Sequence, residues 1–405
     1  MRRFIVILLY FFFLLISLSS VGFCEDTIPE AKQTDASSVS PSEEENHQWS
    51  AEEQSLYEEQ KQLIGADDLK EATPKEAQDF VTHFQLDRLD PSVLLSMNFR
   101  DLLSWCWQLI LNQIALPLRL FCYLIGILLL CALLNAVQGK EEKALSSVFR
   151  LICILFLCML LLQPLLDCIQ RMASVFQGVN EFMACYIPIF AGVLAMGGQP
   201  ATGTGYQVLL FSVVQGVSAV ASSVLVPLLF CYLAICLVAS LEDGLGLGET
   251  AAFLKKVITW TLGILVTIVV GFLTVQSLVA SSSDNVTTKA AKFMISSAVP
   301  VVGGALSEAL GTVKGCVSLL RSSVGYFGIF VVAATFLPLL LELVVWSLVT
   351  KLGSLCAQLF SFKQLSGLLD GMGAAIGVMM ALLCSYALLL ILSTTILLLL
   401  GGGGG

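Results

Sequence analysis

The feature that most constrains this fold is an apolar run with almost no charge, Tyr206–Leu241, which is 36 residues long. A membrane-spanning helix needs only about 20 apolar residues. Six further apolar runs occur after residue 100: Leu120–Val137, Leu151–Leu166, Phe182–Ala195, Val257–Ala280, Val324–Val349 and Met372–Leu400. The sequence therefore predicts an all-α, polytopic transmembrane helical bundle over residues 99–400.

The overall composition supports a membrane protein. Hydrophobic residues make up 57% of the 405 residues, and only 13% are charged, against about 25% in ordinary soluble domains. We therefore do not expect a water-soluble enzyme.

The number of spans depends on the middle of the chain, and the apolar runs allow six to eight. Pro227 divides the long run into two passes or one broken helix, and Phe182–Ala195 either crosses or re-enters. Lys140, Lys143 and Arg150 place the first hairpin loop in the cytoplasm by the positive-inside rule. The same rule does not choose between seven and eight spans, so the side of residues 281–323 stays open.

The segments outside the membrane domain differ in charge. Residues 1–24 predict a signal peptide or an uncleaved anchor, because Arg2 and Arg3 precede an apolar stretch. Residues 25–98 form an acidic leader, since residues 25–100 hold 18 Asp or Glu against 6 Lys or Arg. We expect it to be extracytoplasmic and partly disordered, with one charged helix over residues 52–63. The glycine tail, residues 401–405, carries no functional signal.

Residues 281–323 form the longest connection within the membrane domain. Lys289 and Lys292 lie three residues apart, on one helix face, and Pro300 then breaks the pattern. Glycines that allow close backbone approach follow it: Gly303, Gly304, Gly311 and Gly315. We predict an amphipathic or re-entrant pair of helices buried in protein, because irregular backbone cannot face lipid.

Glu342 is the residue with the clearest functional interest. It lies deep in the apolar run Val324–Val349, and Pro338 stands four residues before it. An intramembrane carboxylate costs about 2.5–3.5 kcal/mol on insertion scales, so it usually faces a partner or a cavity. It is a proton or ion relay, a lock for another helix, or a hydrogen-bonded structural residue.

The sequence shows no catalytic, cofactor-binding or metal-binding pattern. His47 and His83 both precede the membrane domain, which excludes a histidine site within it. We interpret most cysteines, including Cys131 and Cys153, as small apolar residues. Gly373 and Gly377 form a GxxxG pair that predicts close helix packing, within one subunit or between subunits.

The segment TTKAAKFMISSAVPVVGGALSEALGTVKGC, residues 287–316, resembles the stage III sporulation protein AE family of endospore-forming bacteria. The resemblance covers about residues 90–400. It implies a multi-pass protein of the mother-cell membrane around the forespore. The implied partners are the other membrane proteins of the same operon and the forespore's stage II sporulation protein Q, in a secretion or feeding channel. It implies no catalytic residue.

The predicted function is thus a membrane-embedded subunit of that sporulation channel complex, without enzyme activity or cofactor. Two alternatives stay open: a stand-alone secondary transporter that uses Glu342, and a purely structural scaffold.

Overall fold

The computed structural model describes residues 51–65, 68–86, 99–137, 143–241, 247–298 and 303–401. In these residues the regular structure is helical. The helices are α1 (Ala51–Leu63), α2 (Asp68–Glu71), α3 (Lys75–His83), α4 (Phe99–Val137), α5 (Lys143–Met196), α6 (Pro200–Val220), α7 (Val226–Leu241), α8 (Leu247–Ala298), α9 (Gly303–Leu359) and α10 (Lys363–Gly401). The predicted signal segment, residues 25–50 and 87–98 of the acidic leader, and residues 402–405 lie outside the described residues.

Within the described part of the chain, six helical segments are long and apolar enough to cross a membrane. They are Arg100–Leu133, Ile152–Met196, Thr202–Ala239, Leu247–Phe272, Gly315–Leu359 and Lys363–Ile396. This confirms the predicted all-α polytopic bundle, at the low end of the expected range of spans.

Two runs that the sequence separates, 151–166 and 182–195, belong to the single helix α5. Between them the buried residues Cys168, Met172 and Val179 keep helical spacing, so the apolar face is continuous although polar residues occupy the other face. Pro164 and Pro188 both lie inside α5 without ending it.

The run around Pro227 is one broken helix rather than two passes. A single π-helical turn, Ala221–Leu225, joins α6 to α7. Pro227 lacks a backbone N–H, so the helical hydrogen bond that it would donate is missing. The wider turn directly before it accommodates this defect.

Helix α9 forms the centre of the bundle. In the apolar window of α9, 89% of the residues are buried, against 11% in that of α8, which lies at the periphery. α9 packs most extensively on α10 and also contacts α4 and α5. α4 and α9 run parallel, because Leu124 lies against Gly353 while Trp105 and Phe330 both contact Phe80.

The second half of the acidic leader is folded onto the bundle. α1 and α3 pack on α9, and α2 packs on α5. Leu69, Ala77 and Phe80 are buried, and the acidic residues Asp68 and Asp79 stay exposed. The charged helix predicted for residues 52–63 is confirmed as α1.

The connection 281–323 is divided between two long helices. α8 continues to Ala298, and α9 begins at Gly303. Whether this segment re-enters the membrane stays a prediction, and Pro300 lies outside the described residues.

The interpretation of Cys131 and Cys153 as simple small apolar residues was wrong. Cys131 of α4 and Cys153 of α5 form a disulfide. The sequence shows only two cysteines in separate apolar runs, whereas the antiparallel packing of α4 and α5 brings them together.

Candidate functional site

Glu342 lies in the C-terminal half of the central helix, α9. Its neighbours Leu341 and Leu343 are buried, and its own side chain is 8% exposed. α9 continues without interruption through Pro338. Proline has no backbone N–H, so the carbonyl one turn before Pro338 lacks its usual hydrogen-bond donor. The helix therefore has one backbone hydrogen bond fewer near Glu342.

The partner of Glu342 is Arg171 of α5. Nη1 of Arg171 donates to Oε2 of Glu342 at 2.6 Å, and Nη2 donates to Oε1 at 2.5 Å. The two parallel bonds form a bidentate pair, the geometry in which guanidinium and carboxylate interact most strongly. The sulfur of Cys168 lies 3.9 Å from both Nη2 and Oε1.

The ion pair has one buried and one exposed member. The side chain of Arg171 is 51% exposed, while that of Glu342 is almost fully enclosed. The pair therefore connects the central helix to the outside of the bundle through the guanidinium. Because arginine keeps its charge in proteins, Glu342 lies beside a permanent cation.

This geometry favours a lock between α5 and α9 over a relay. A relay needs further acidic groups within hydrogen-bond reach of Glu342. The nearest acid along α5, Asp167, instead accepts from Nε2 of Gln163 at 3.4 Å, and the polar group beside the pair is the Cys168 thiol. Among the described residues, no group of three His, Cys, Asp or Glu could hold a metal ion.

A second polar contact ties three helices together further along α5. Nδ2 of Asn180 donates to Oγ of Ser218 in α6 at 2.5 Å. The hydroxyl of Tyr386 in α10 donates to Oδ1 of Asn180 at 2.7 Å. The Tyr386 ring packs edge-on against Phe176 and Phe336, so the hydrogen-bonded layer lies inside an aromatic shell.

Sequence reasoning missed Arg171, Asn180 and Tyr386. It ended a span at residue 166 and so treated Arg171 as part of a loop. The signal that could have identified it is the helical spacing of Leu165, Cys168 and Met172, which predicts that the helix continues past the first run. No sequence signal indicated that Asn180 meets Tyr386.

The other predicted site residues do not gather around Glu342. Gly373 faces α9: a Cβ there would lie 3.2 Å from Oγ1 of Thr350, so α9 and α10 approach closely at this point. Gly377 follows one turn later on α10.

The residues of the connection occupy the ends of α8 and α9. Lys289 and Lys292 lie on α8, and their side chains are outside the described part. The four glycines lie in the first turns of α9, where Gly315 is exposed and a Cβ added to it would meet no atom within 4 Å. Gly303, Gly304 and Gly311 are described only as parts of the helix.

An open groove lies between α6 and α8, away from the ion pair. Its volume is about 780 Å³. Its lining is mainly apolar and includes Val208, Val213, Leu265, Val269 and Phe272. None of its lining residues is ionisable, so the groove provides apolar contacts but no charged group to a bound molecule.

These features are those of a multi-pass helical membrane protein whose long helices are joined by a few polar contacts inside the bundle. The family described as stage III sporulation protein AE matches residues 92–401. The chain belongs to this family, which confirms the resemblance seen around residues 287–316. The family is not a known enzyme family.

A curated relative supports this assignment. The chain is 23% identical over 207 residues to stage III sporulation protein AE of Bacillus subtilis (strain 168). This match covers 51% of the chain and 52% of the relative, so the chain aligns with about half the length of that protein. No solved structure matches the chain significantly.

Proposed function

We propose that this protein is a membrane-embedded subunit of a sporulation-specific secretion or feeding channel between the mother cell and the forespore. The observation that carries the proposal is the family match over residues 92–401, together with the six helices able to cross a membrane that the described residues contain. Its place is the mother-cell membrane around the forespore.

The lengths of the helices support a role in an assembly. α5 has 54 residues and α9 has 57, so they extend about 81 and 86 Å at 1.5 Å per residue. The hydrocarbon core is only about 30 Å thick, and even a 40° tilt does not fit these helices within it. Part of each helix, with the bundle packed around it, therefore extends beyond the hydrocarbon core, where the surface of the bundle can contact other proteins.

The position of the acidic leader on the bundle also supports a role in an assembly. α1, α2 and α3 pack on the C-terminal half of α5 and the N-terminal half of α9, where Pro74 lies beside Gly178 and Phe80 beside Phe330. If the leader is exported, this half of the bundle faces the space between the two membranes. The partners there are the other membrane proteins of the same operon and stage II sporulation protein Q of the forespore.

In this proposal the Arg171–Glu342 pair is a structural lock within the subunit. The stand-alone transporter would instead require Glu342 to exchange its partner during transport. If the protein is purely a structural scaffold, the Arg171–Glu342 pair has the same locking role. That alternative differs only because the complex would then not transport anything.

The proposal is tested by deleting the gene and complementing it with tagged protein. We expect loss of late forespore gene activity, its rescue by the tagged chain, and co-purification of the other operon products. Rescue without any such partner, together with saturable uptake by the purified protein in liposomes, would instead establish the stand-alone transporter. Glu342→Gln, which keeps the shape but loses the ion pair, then reports whether the carboxylate matters for forespore development.

A further inference from the structure

The peripheral helix α8 carries a second groove, which has a lysine at one end. Its volume is about 480 Å³, and it runs along one face of α8 from Lys256 to Ile268, with Trp260, Gly263 and Ile264 between them. Of the six segments able to cross a membrane in the described residues, that of α8 has the smallest buried share. The groove is therefore on the outside of the bundle, away from its core.

The lysine lies where the apolar part of α8 begins. The run Val257–Ala280 follows directly after Lys256, so we expect Lys256 at the boundary of the hydrocarbon core, where a lysine side chain reaches the headgroups. Trp260 stands one turn further on and is 71% exposed, and tryptophan prefers this interfacial level. The charged end of the groove is thus expected at the membrane surface.

The length of the groove matches one leaflet of a bilayer. Ile268 lies 12 residues after Lys256, which corresponds to about 18 Å along the helix. Half of a hydrocarbon core about 30 Å thick is about 15 Å. The groove therefore extends from the membrane surface to about the middle of the bilayer, as the acyl chain of a phospholipid does.

The groove along α8 continues into the larger groove between α6 and α8. Ile268 lines both of them. The residues that line the larger groove carry no ionisable group, so the charge is confined to the end at Lys256. The combined surface complements a molecule that has one anionic end and long apolar chains.

The surroundings of Lys256 leave it able to bind an anion. None of the carboxylates in the described part of the chain forms an ion pair with it. Glu249, in the first turn of α8, lies seven residues earlier, about 10 Å along the axis, which exceeds the Debye length at physiological ionic strength. Gly263 keeps the groove open, since a Cβ added there would meet no atom within 4 Å.

We propose that the groove along α8 binds an anionic phospholipid, with its phosphate at Lys256 and one acyl chain along Gly263 and Ile264. The larger groove receives the end of the chain beyond Ile268. A zwitterionic phospholipid has the same chains but no net charge. One lysine at the membrane surface is expected to favour the anionic lipid about fivefold.

Quenching of tryptophan fluorescence by brominated lipids tests this site. The purified full chain is reconstituted in phosphatidylcholine that contains increasing fractions of brominated phosphatidylglycerol. Trp107→Phe leaves Trp260 as the exposed tryptophan of the described residues, whereas Trp260→Phe leaves Trp107, which is 61% exposed on α4 and lines neither groove. We expect Trp260 to report an approximately fivefold preference for phosphatidylglycerol, and Trp107 to report none.

Two further variants separate the contributions of charge and shape. Lys256→Gln removes the charge and is expected to abolish the preference at Trp260, whereas Lys363→Gln, at an exposed lysine of α10, leaves it unchanged. Gly263→Leu fills the groove and is expected to abolish the preference too. Its control is Gly126→Leu in α4, where an added Cβ also meets no atom within 4 Å. Equal unfolding temperatures show that the variants are folded.

Three results would overturn the proposal. Equal quenching of Trp260 and Trp107 at every lipid composition would show ordinary contact with the surrounding bilayer. A preference that survives Lys256→Gln would place the headgroup elsewhere. Absence of quenching at Trp260 by brominated phosphatidylglycerol and by brominated phosphatidylcholine would show that protein covers the groove. The chain is measured alone, so these results do not depend on the proposed sporulation complex.

Discussion

Glu342 shows how a carboxylate is kept inside the most buried helix of a membrane bundle. Both of its oxygens accept from one guanidinium, at 2.5 and 2.6 Å, so neither is left unsatisfied. Removing one partner of such a pair is far more costly than removing both, because an unpaired buried charge remains.

Arg171→Met is therefore expected to destabilise the protein by about 2–3 kcal/mol, less than for a fully enclosed pair because the arginine is half exposed. The double variant Arg171→Met with Glu342→Met is expected to recover most of this loss. Thermal unfolding of the detergent-solubilised protein measures both. Asp167→Asn, on the same helix, is the control, and a double variant no more stable than the single one would contradict the lock.

Gly328 is the clearest case of a position where only glycine fits. A Cβ there would overlap the ring of Tyr186, which is stacked between Phe182 and Phe190 and has little room to move. Gly328→Ala is expected to lower stability by about 1–3 kcal/mol through overpacking.

The control for this variant is Gly126→Ala in α4, where no atom lies within 4 Å of the added methyl. It is expected to be neutral or to raise stability by up to about 1 kcal/mol through helix propensity. Equal unfolding temperatures for the two variants would show that the Tyr186 ring moves aside for the added methyl group despite its stacking.

Among the elements, the leader helices depend on the bundle for their place. α3 has few apolar residues, and Phe80 anchors it through ring contacts with Trp105 at 5.0 Å and Phe84 at 4.7 Å. Phe330 of α9 completes the contact at 6.3 Å. An aromatic cluster thus anchors α3 to the bundle.

Phe80→Ala is expected to release the leader, since truncating a buried phenylalanine costs about 3–5 kcal/mol. Limited proteolysis of the membrane-bound protein should then cut residues 51–86 faster than in the parent chain, while the membrane domain stays intact. The exposed Thr82→Ala on the same helix is the control. Unchanged cleavage of the Phe80 variant would mean that other contacts hold the leader.

At the scale of the whole molecule, the six membrane-crossing segments of the described residues alternate in direction, and α6 and α7 run the same way as parts of one segment. The turn after α5, at residues 197–199, and the leader lie at one end, and the turn at residues 360–362 lies at the other. With an exported leader, the first end is extracytoplasmic and the second cytoplasmic.

Cysteine labelling in intact and permeabilised cells checks this arrangement. In a background where Cys122 and Cys231, which are exposed among the described residues, are serine, Ala195→Cys and Gln78→Cys are expected to react with an impermeant maleimide in intact cells. Lys363→Cys is expected to react only after permeabilisation. Labelling of Ala195→Cys and Lys363→Cys from the same side would contradict the three crossings expected between them, by α6 with α7, by α8 and by α9.

The local sequence predicted well what depends on local composition. Apolar runs identified the membrane bundle, and the charge pattern of residues 52–63 predicted α1. The joining of two runs into α5 escaped prediction, because polar residues on one face hid the continuous apolar spacing of Cys168 and Met172 on the other. Glu342 was identified because a charge in an apolar run is visible in sequence, but its partner was not.

The sequence alone determined that this chain is a multi-pass helical membrane protein of a sporulation family, since partition into lipid and the family segment at 287–316 are local properties. Only the tertiary structure decided that Arg171 meets Glu342, that Asn180 meets Tyr386 and that the leader docks on α9. These contacts join residues up to 206 positions apart. They depend on the angle and the register at which the long helices pack against each other. Hydrophobic burial is non-directional, so it does not fix this geometry, which is set by the packing of the whole bundle.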